Sequence, residues 1–297
     1  MWVRVIRVYL IQVIILAVVQ GLAELLPVSS SAHVVVAEKL MGLNPSSPDM
    51  TLLLVMLHTG TMFAVIVYFW KQWRATYFKT VQVFKRYAVL LILATAVTGI
   101  VGEALIKLIE KTAFRGEPKA EIEQLFGHLE LIAPALAAAG ILILAAGIHE
   151  RWKRRTNLNL HDVDRLGTKE AGLIGAVQGL CLPFRGFSRS GATISTGILA
   201  GVSKVRAEAF SFALAVILTP PVIAREGLRL MKAKQLNGSD LSSAVVPSLL
   251  GAGCAFLAGL LALKWLSRWL ESGQWYLFGL YCLVAAAAVT ALHRAGY

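Results

Sequence analysis

Residues 19–33 read Val19-Gln20-Gly21-Leu22-Ala23-Glu24-Leu25-Leu26-Pro27-Val28-Ser29-Ser30-Ser31-Ala32-His33, and this stretch decides the kind of fold. An apolar run from Val8 to Ala23 leads into Pro27, which stops a helix. A second run, Leu25–Ala37, continues beyond serines suited to cap its N-terminus. Each is shorter than the roughly 20 residues that cross a bilayer. The pattern returns later in the chain. Ala171–Phe184 and Ser190–Ser203 flank Pro183-Phe184-Arg185-Gly186-Phe187-Ser188, and Val177-Gln178-Gly179-Leu180 copies Val19-Gln20-Gly21-Leu22 at a distance of 158 residues. Half-helices meeting at a polar break predict a re-entrant hairpin, because irregular backbone survives in a membrane only where it lines a protein cavity. Corresponding breaks in two halves predict an internal repeat, with the binding site where they converge.

The rest of the chain fits a membrane setting. Of 297 residues, 57% are hydrophobic and 15% charged, against roughly 25% charged in ordinary soluble domains, and mean hydropathy is +0.67. Met50–Trp70, Leu131–His149, Leu241–Leu263 and Ser272–His293 hold no Asp, Glu, Lys or Arg over 21, 19, 23 and 22 residues. Tyr87–Gly102 and Ala209–Ala224 extend to full spans through snorkelling flanks, with Pro220-Pro221 expected to kink the latter. The expected fold is therefore an all-α polytopic membrane protein. It has six transmembrane helices, beginning near residues 50, 87, 130, 206, 244 and 274, and two re-entrant helical hairpins. Residues 1–297 form a single integral membrane domain, with repeats of about 1–150 and 151–297.

The net charge of +12 resolves into connections. Lys71, Arg74, Lys79, Lys85 and Arg86 share one loop; Arg151, Lys153, Arg154, Arg155, Arg165 and Lys169 share another. Cytoplasmic loops collect cations in this way, and no aromatic-interleaved basic module speaks for nucleic acid. With both loops cytoplasmic, Glu103–Glu130 is external, the first hairpin enters from outside and the second from inside. The repeats are then inverted. Arg4 and Arg7, and four cations between Arg225 and Lys234, fall outside against this rule. The N-terminal segment lacks a small-x-small cleavage site and is read as retained. Cys181, Cys254 and Cys282 lie in apolar segments and read as small buried hydrophobes.

The breaks carry the chemistry. Gln20 and Glu24, four residues apart, share a helix face, and a carboxylate at membrane depth must be paired, protonated or metal-bound. Ser29, Ser30, Ser31 and His33 follow at a half-helix N-terminus, where free N–H groups favour an anion. In the second break Arg185 and Arg189 accompany Ser188, Ser190, Gly191 and Thr193. Arginine offers phosphate oxygens a planar fork, and glycine allows close backbone approach. For the serines the competing reading is plain capping; for His33, a structural histidine; for Arg185, snorkelling. Together the breaks suit a phosphate or pyrophosphate bound with a divalent cation, so the substrate is a phosphorylated lipid.

These residues resemble a known family, the undecaprenyl-diphosphatases (bacitracin-resistance proteins) of bacterial inner membranes. Its first signature, approximately Glu-Gly-x-Thr-Glu-x-x-Pro-Val-Ser-Ser-x-Gly-His, is similar to Gln20–His33. Its second, approximately Pro-Gly-x-Ser-Arg-Ser-Gly-Ala-Thr, is similar to Gly186–Thr193. The resemblance implies hydrolysis of the terminal phosphate of undecaprenyl diphosphate, recycling the carrier lipid for peptidoglycan and other envelope polymers. It also implies a divalent cation (Mg²⁺ or Ca²⁺) and a periplasm-facing site. On it, Glu24 and Gln20 would bind metal, and Ser30 or His33 would be the nucleophile, with His33 otherwise the general acid/base. Arg189 would hold the diphosphate with Ser29, Ser188, Ser190, Gly191, Thr193 and Arg185. The partners implied are the polyprenyl diphosphate and membrane lipids, with a homodimer left open. The chain departs from the pattern at Gln20, Ala23 and Ala32, at Phe184-Arg185 before Gly186, and at Cys282, where an arginine is common. Loss of one carboxylate leaves a second reading: a divergent paralogue that flips phosphorylated polyprenyl lipids or acts on another lipid phosphate.

Overall fold

Helix boundaries fall where the sequence changes its backbone chemistry. The computed structural model describes residues 2–43, 48–113, 128–155, 166–237 and 242–296. Arg165 and the middle of the Glu103–Glu130 segment lie outside them. Among the described residues there are ten α-helices and no strand. In chain order they are α1 (Trp2–Leu25), α2 (Ser30–Leu40), α3 (Pro48–Thr76), α4 (Val81–Ala113), α5 (Leu129–Arg155), α6 (Thr168–Leu180), α7 (Arg189–Leu199), α8 (Lys204–Asn237), α9 (Ser242–Glu271) and α10 (Tyr276–Arg294). Six of them, α3, α4, α5, α8, α9 and α10, are long and apolar enough to cross a membrane. The breaks fall as expected, at 26–29 between α1 and α2 and at 181–188 between α6 and α7. The Pro220-Pro221 pair does not end α8, which continues to Asn237.

Hydrophobic side chains face outward as well as inward. Ile92, Ile100 and Val246 are among the most exposed residues, as the lipid-facing side of a bundle requires. Without a hydrophobic force between helices in lipid, close packing of small residues and interhelical hydrogen bonds must hold them. Both are present. α1 lies along α9 and α6 along α4, while α3 packs on α8 and α9, and α5 on α10. At Gly21 a methyl group would come within 2.6 Å of Ala258 Cβ on α9; at Gly179 it would come within 2.8 Å of Val101 Cβ on α4. The two copies of Val-Gln-Gly-Leu thus each place a glycine in close contact with a neighbouring span. Phe69 of α3 stacks on Phe212 of α8 at 5.3 Å, and the buried Trp73 indole donates to the Ala209 carbonyl at 3.1 Å. The Trp275 indole, before α10, donates to Ser195 Oγ of α7 at 3.0 Å. Such bonds contribute roughly 0.6–2 kcal/mol each in membranes.

Candidate active site

Glu24 occupies the last turn of α1, and three elements converge on it. Its Oε1 accepts from Arg189 Nη2 at 2.7 Å, an ion pair joining the first break to the N-terminus of α7. Its Oε2 accepts from Ser30 Oγ at 2.5 Å and from Gln20 Nε2 at 3.1 Å. His58 of α3 brings Nε2 to 3.8 Å from the same oxygen. The carboxylate is 16% exposed and the guanidinium side chain 23%. Charges so far from bulk water must be paired and hydrogen-bonded, and Glu24 is both. Arg189 is only half used: its Nη1 is buried and has no hydrogen-bond partner among the described residues. A buried cationic donor left free beside a serine hydroxyl is what an incoming oxyanion would satisfy.

Direct bonds hold the breaks together. Gly186 N donates to Ser31 Oγ at 3.1 Å, and Ser190 Oγ donates to the Leu26 carbonyl at 3.2 Å. Cys282, fully buried on α10, donates its thiol to the Pro27 carbonyl at 3.3 Å. Cys282 therefore clasps the first break to the last helix.

The expectation that serines cap both half-helices holds on one side only. Ser188 Oγ accepts from Gly191 N at 3.2 Å, an N-cap for α7. Ser29 holds the same place before α2 but makes no side-chain cap. Its φ of 67° and ψ of 93° put it in left-handed backbone, the one non-glycine residue with positive φ among the described residues. That conformation turns its hydroxyl to Ser31 Oγ, 3.2 Å away. Strain of this kind costs about 1–3 kcal/mol and clusters at functional sites. It also delivers Ser30 to Glu24 rather than to the helix end.

His33 sits one turn into α2 and is fully engaged. Its Nδ1 lies 2.8 Å from the Ser29 carbonyl, which can only accept, so the ring proton is there. Nε2 then accepts from the Tyr281 hydroxyl at 2.7 Å, and the two rings stack at 5.7 Å. The second-break hydroxyls are likewise committed. Thr193 Oγ1 donates to the Arg189 carbonyl at 2.8 Å and pairs with Ser211 Oγ at 2.6 Å. Ser188, Ser190 and Thr193 are almost completely buried, so they fix Arg189 in place. Arg185 lies within electrostatic reach of Glu38, a buried carboxylate of α2.

Two site residues escaped the sequence reading, His58 and Tyr281. His58 is the only histidine in the Met50–Trp70 run, and an ionisable group at membrane depth is itself a signal; counting only Asp, Glu, Lys and Arg hid it. Tyr281 gives no signal of its own, because its hydroxyl is indistinguishable from that of a lipid-interface tyrosine.

Among the described residues no group of three or more His, Cys, Asp and Glu side chains is arranged to hold a metal. The donor set therefore does not form a protein-only cage. It does fit a hard cation shared with a substrate, since Mg²⁺ is commonly held by one or two carboxylates together with substrate phosphates. Gln20 turns its amide nitrogen to Glu24, leaving the carbonyl oxygen as its remaining donor to a cation.

An all-helical, multi-pass membrane protein with a carboxylate, a guanidinium and a serine gathered between two broken helices is the class these features define. Comparison with known proteins then gives the family. The sequence model described as "Bacitracin resistance protein BacA" matches residues 13–288. The chain is 56% identical to "Undecaprenyl-diphosphatase 2" of Acinetobacter baylyi, covering 95% of this chain and 98% of that protein. It is 30% identical to "Undecaprenyl-diphosphatase" of Rhodopirellula baltica, covering 96% and 98%, and 27% identical to that of Parabacteroides distasonis, covering 94% and 97%. The chain belongs to the BacA family of bacitracin-resistance proteins.

Proposed function

We propose that this chain is an undecaprenyl-diphosphate phosphatase, releasing the terminal phosphate of undecaprenyl diphosphate and returning undecaprenyl phosphate to peptidoglycan and envelope polymer synthesis. The observation that carries the reading is Glu24 bridging Ser30 and Arg189 across the two breaks, with Arg189 Nη1 still free. The relatives named above are all diphosphatases, so lipid flipping without hydrolysis is not favoured.

In the proposed reaction Arg189 Nη1 binds an oxygen of the terminal phosphate, and Ser30 Oγ attacks its phosphorus. Glu24 Oε2 takes the serine proton as the bond forms. The bond from that phosphorus to the bridging oxygen breaks, and undecaprenyl phosphate departs with the electron pair. Water then attacks the phosphoserine phosphorus, the bond from phosphorus to Ser30 Oγ breaks, Glu24 returns the serine proton to Oγ, and both water protons leave with the released phosphate. Phosphoryl transfer of this kind depends on positioning and charge stabilisation, which the Arg189 fork provides. Ser30 is preferred to His33 as nucleophile because both ring nitrogens of His33 are already bonded. His33, held by Tyr281, shapes the turn from which Ser29 and Ser30 project. Glu24 and Gln20 would hold a divalent cation together with phosphate oxygens, and the cation would supply neutralisation of the diphosphate charge. Ser188, Ser190, Gly191 and Thr193, all buried, hold Arg189 behind the diphosphate, Ser29 sets the turn that presents Ser30, and Arg185 stands further along the same break.

We also infer that the helices form an inverted repeat of about 1–150 and 151–297, with α1–α2 and α6–α7 as re-entrant hairpins. Supporting this, the ten helices run twice through the order of two segments of a broken pair followed by three spans. Each Gln-Gly pair packs against a span of the other run. Placing the basic loops in the cytoplasm puts the first hairpin on the periplasmic side of a bacterial inner membrane, so substrate would arrive from that leaflet.

The test is phosphate release from undecaprenyl diphosphate by the detergent-purified full chain, with and without Mg²⁺ or Ca²⁺. Release that collapses in Ser30→Ala and Arg189→Lys supports the assignment. Absence of release by the wild-type chain under all cation conditions overturns it.

A further inference from the structure

At the opposite end of α5 from its first residue, Leu129, the helix terminus and the turn between α9 and α10 border an open cleft. It measures about 340 Å³ and is lined by Arg151, Arg155, Ser272, Gly273, Gln274 and Tyr276. Small-molecule sites run from roughly 300 to 1,000 Å³, and this one shares no residue with the Glu24 centre. Arg151 and Arg155 lie four apart on α5 and so project from one face. The Arg151 guanidinium carbon stands 4.5 Å from the centroid of the Tyr276 ring. Both arginines remain exposed, with Arg151 laid on the aromatic face of Tyr276 beside the cleft. The lining therefore offers two guanidiniums, a hydroxyl and an amide, and no carboxylate.

The surroundings say what kind of anion suits it. Trp152 on α5 and Trp265 and Trp269 on α9 are exposed near the same ends of their helices. Exposed tryptophans at span ends mark headgroup depth. The basic segments 71–86 and 151–155 flank the two candidate spans α4 and α5. A cleft at headgroup depth with paired planar donors matches a phosphate ester.

We propose that this cleft binds the phosphate group of an anionic phospholipid in the leaflet facing the basic loops, apart from the catalytic centre. Arg151 and Arg155 grip the phosphate, the Gln274 amide adds a hydrogen bond, and the acyl chains lie against the apolar sides of α5 and α9. The bound lipid then ties the end of α5 to the start of α10.

The experiment is native mass spectrometry of the detergent-purified full chain with phosphatidylglycerol and, separately, phosphatidylcholine. Wild-type and Arg151→Gln/Arg155→Gln proteins are compared, with millimolar inorganic phosphate as competitor. Phosphatidylglycerol should be retained preferentially, resist displacement by inorganic phosphate, and lose about five-fold in retention for each arginine removed. Equal retention of both lipids, or an unchanged preference in the double variant, overturns the proposal. Displacement by inorganic phosphate would make the cleft a free-phosphate site and overturn the lipid source. Wild-type phosphate release from the double variant shows that it is folded. If that release is lost, Arg151→Lys and Arg155→Lys, which keep the charge without the fork, are read instead: each should weaken retention, and unchanged retention in both overturns the proposal.

Discussion

Glu24 and Arg189 stand 165 residues apart in sequence and 2.7 Å apart in space, and their ion pair closes the first break onto the second. Changing Arg189 to Ala strands a carboxylate at membrane depth, which costs about 3–5 kcal/mol when one partner of a buried pair is removed. The melting temperature in detergent should fall sharply. Arg189→Lys keeps the charge but not the fork. Its melting temperature should stay near wild type while phosphate release drops by about 10²–10³-fold. A lysine variant that retains full activity would show that planar donors are not required.

Ser30 and His33 are separated by their partners. Ser30→Ala should reduce turnover by on the order of 10²–10⁴, since it removes the group that Glu24 activates. Rapid quenching of wild type with terminally labelled substrate should trap a phosphoserine at position 30. Label found on His33 instead would reverse the two roles.

Tyr281→Phe keeps the ring that stacks on His33 and removes only the hydroxyl that bonds Nε2. The loss should be about tenfold at most, the worth of one neutral hydrogen bond. Combined with His33→Gln it should cost no more than His33→Gln alone. Additive losses would mean that Tyr281 acts on something other than His33.

Gln20→Glu replaces a donor 3.1 Å from Glu24 Oε2 with a second negative charge. Like charges at that separation disfavour joint ionisation, so the variant should melt lower than wild type in a chelator. Added Mg²⁺ or Ca²⁺ should restore it, and half-saturation of activity should occur at a lower cation concentration. A variant whose stability and activity ignore the cation would remove Gln20 and Glu24 from the metal assignment.

Much of the fold was readable in the sequence because membrane physics leaves few choices. Run length picked out the six spans and three of the short segments, and proline with serine located both breaks within a few residues; the first short run, Val8–Ala23, instead lies within the 24-residue α1, longer than the 19-residue α10. Glu24 and Arg189 were visible as charges where charge is expensive. What the sequence hid depends on backbone direction. Ser29 and Ser188 look alike as caps, yet the left-handed turn at Ser29 releases its hydroxyl from capping and hands Ser30 to Glu24. Arg185 and Arg189 are four apart in one motif, yet Arg189 pairs with Glu24 while Arg185 lies within electrostatic reach of Glu38. Cys282 reads as a lost arginine until its thiol is seen on the Pro27 carbonyl.

Gly21 and Gly179 make a paired test of packing. A valine at either position collides with α9 or α4, so both variants should lose folded yield in detergent, measured by size-exclusion chromatography. Gly21→Val and Gly179→Val falling together would mark both as assembly contacts; loss of activity alone in Gly21→Val would assign it to the reaction.

The two packing copies match, but their downstream neighbours differ in kind. Four residues after Gln20 stands Glu24; four residues after Gln178 stands Leu182. With an acid in one break and a leucine at the matching place in the other, the two copies share a packing glycine, while the carboxylate that pairs with Arg189 stands in the first alone.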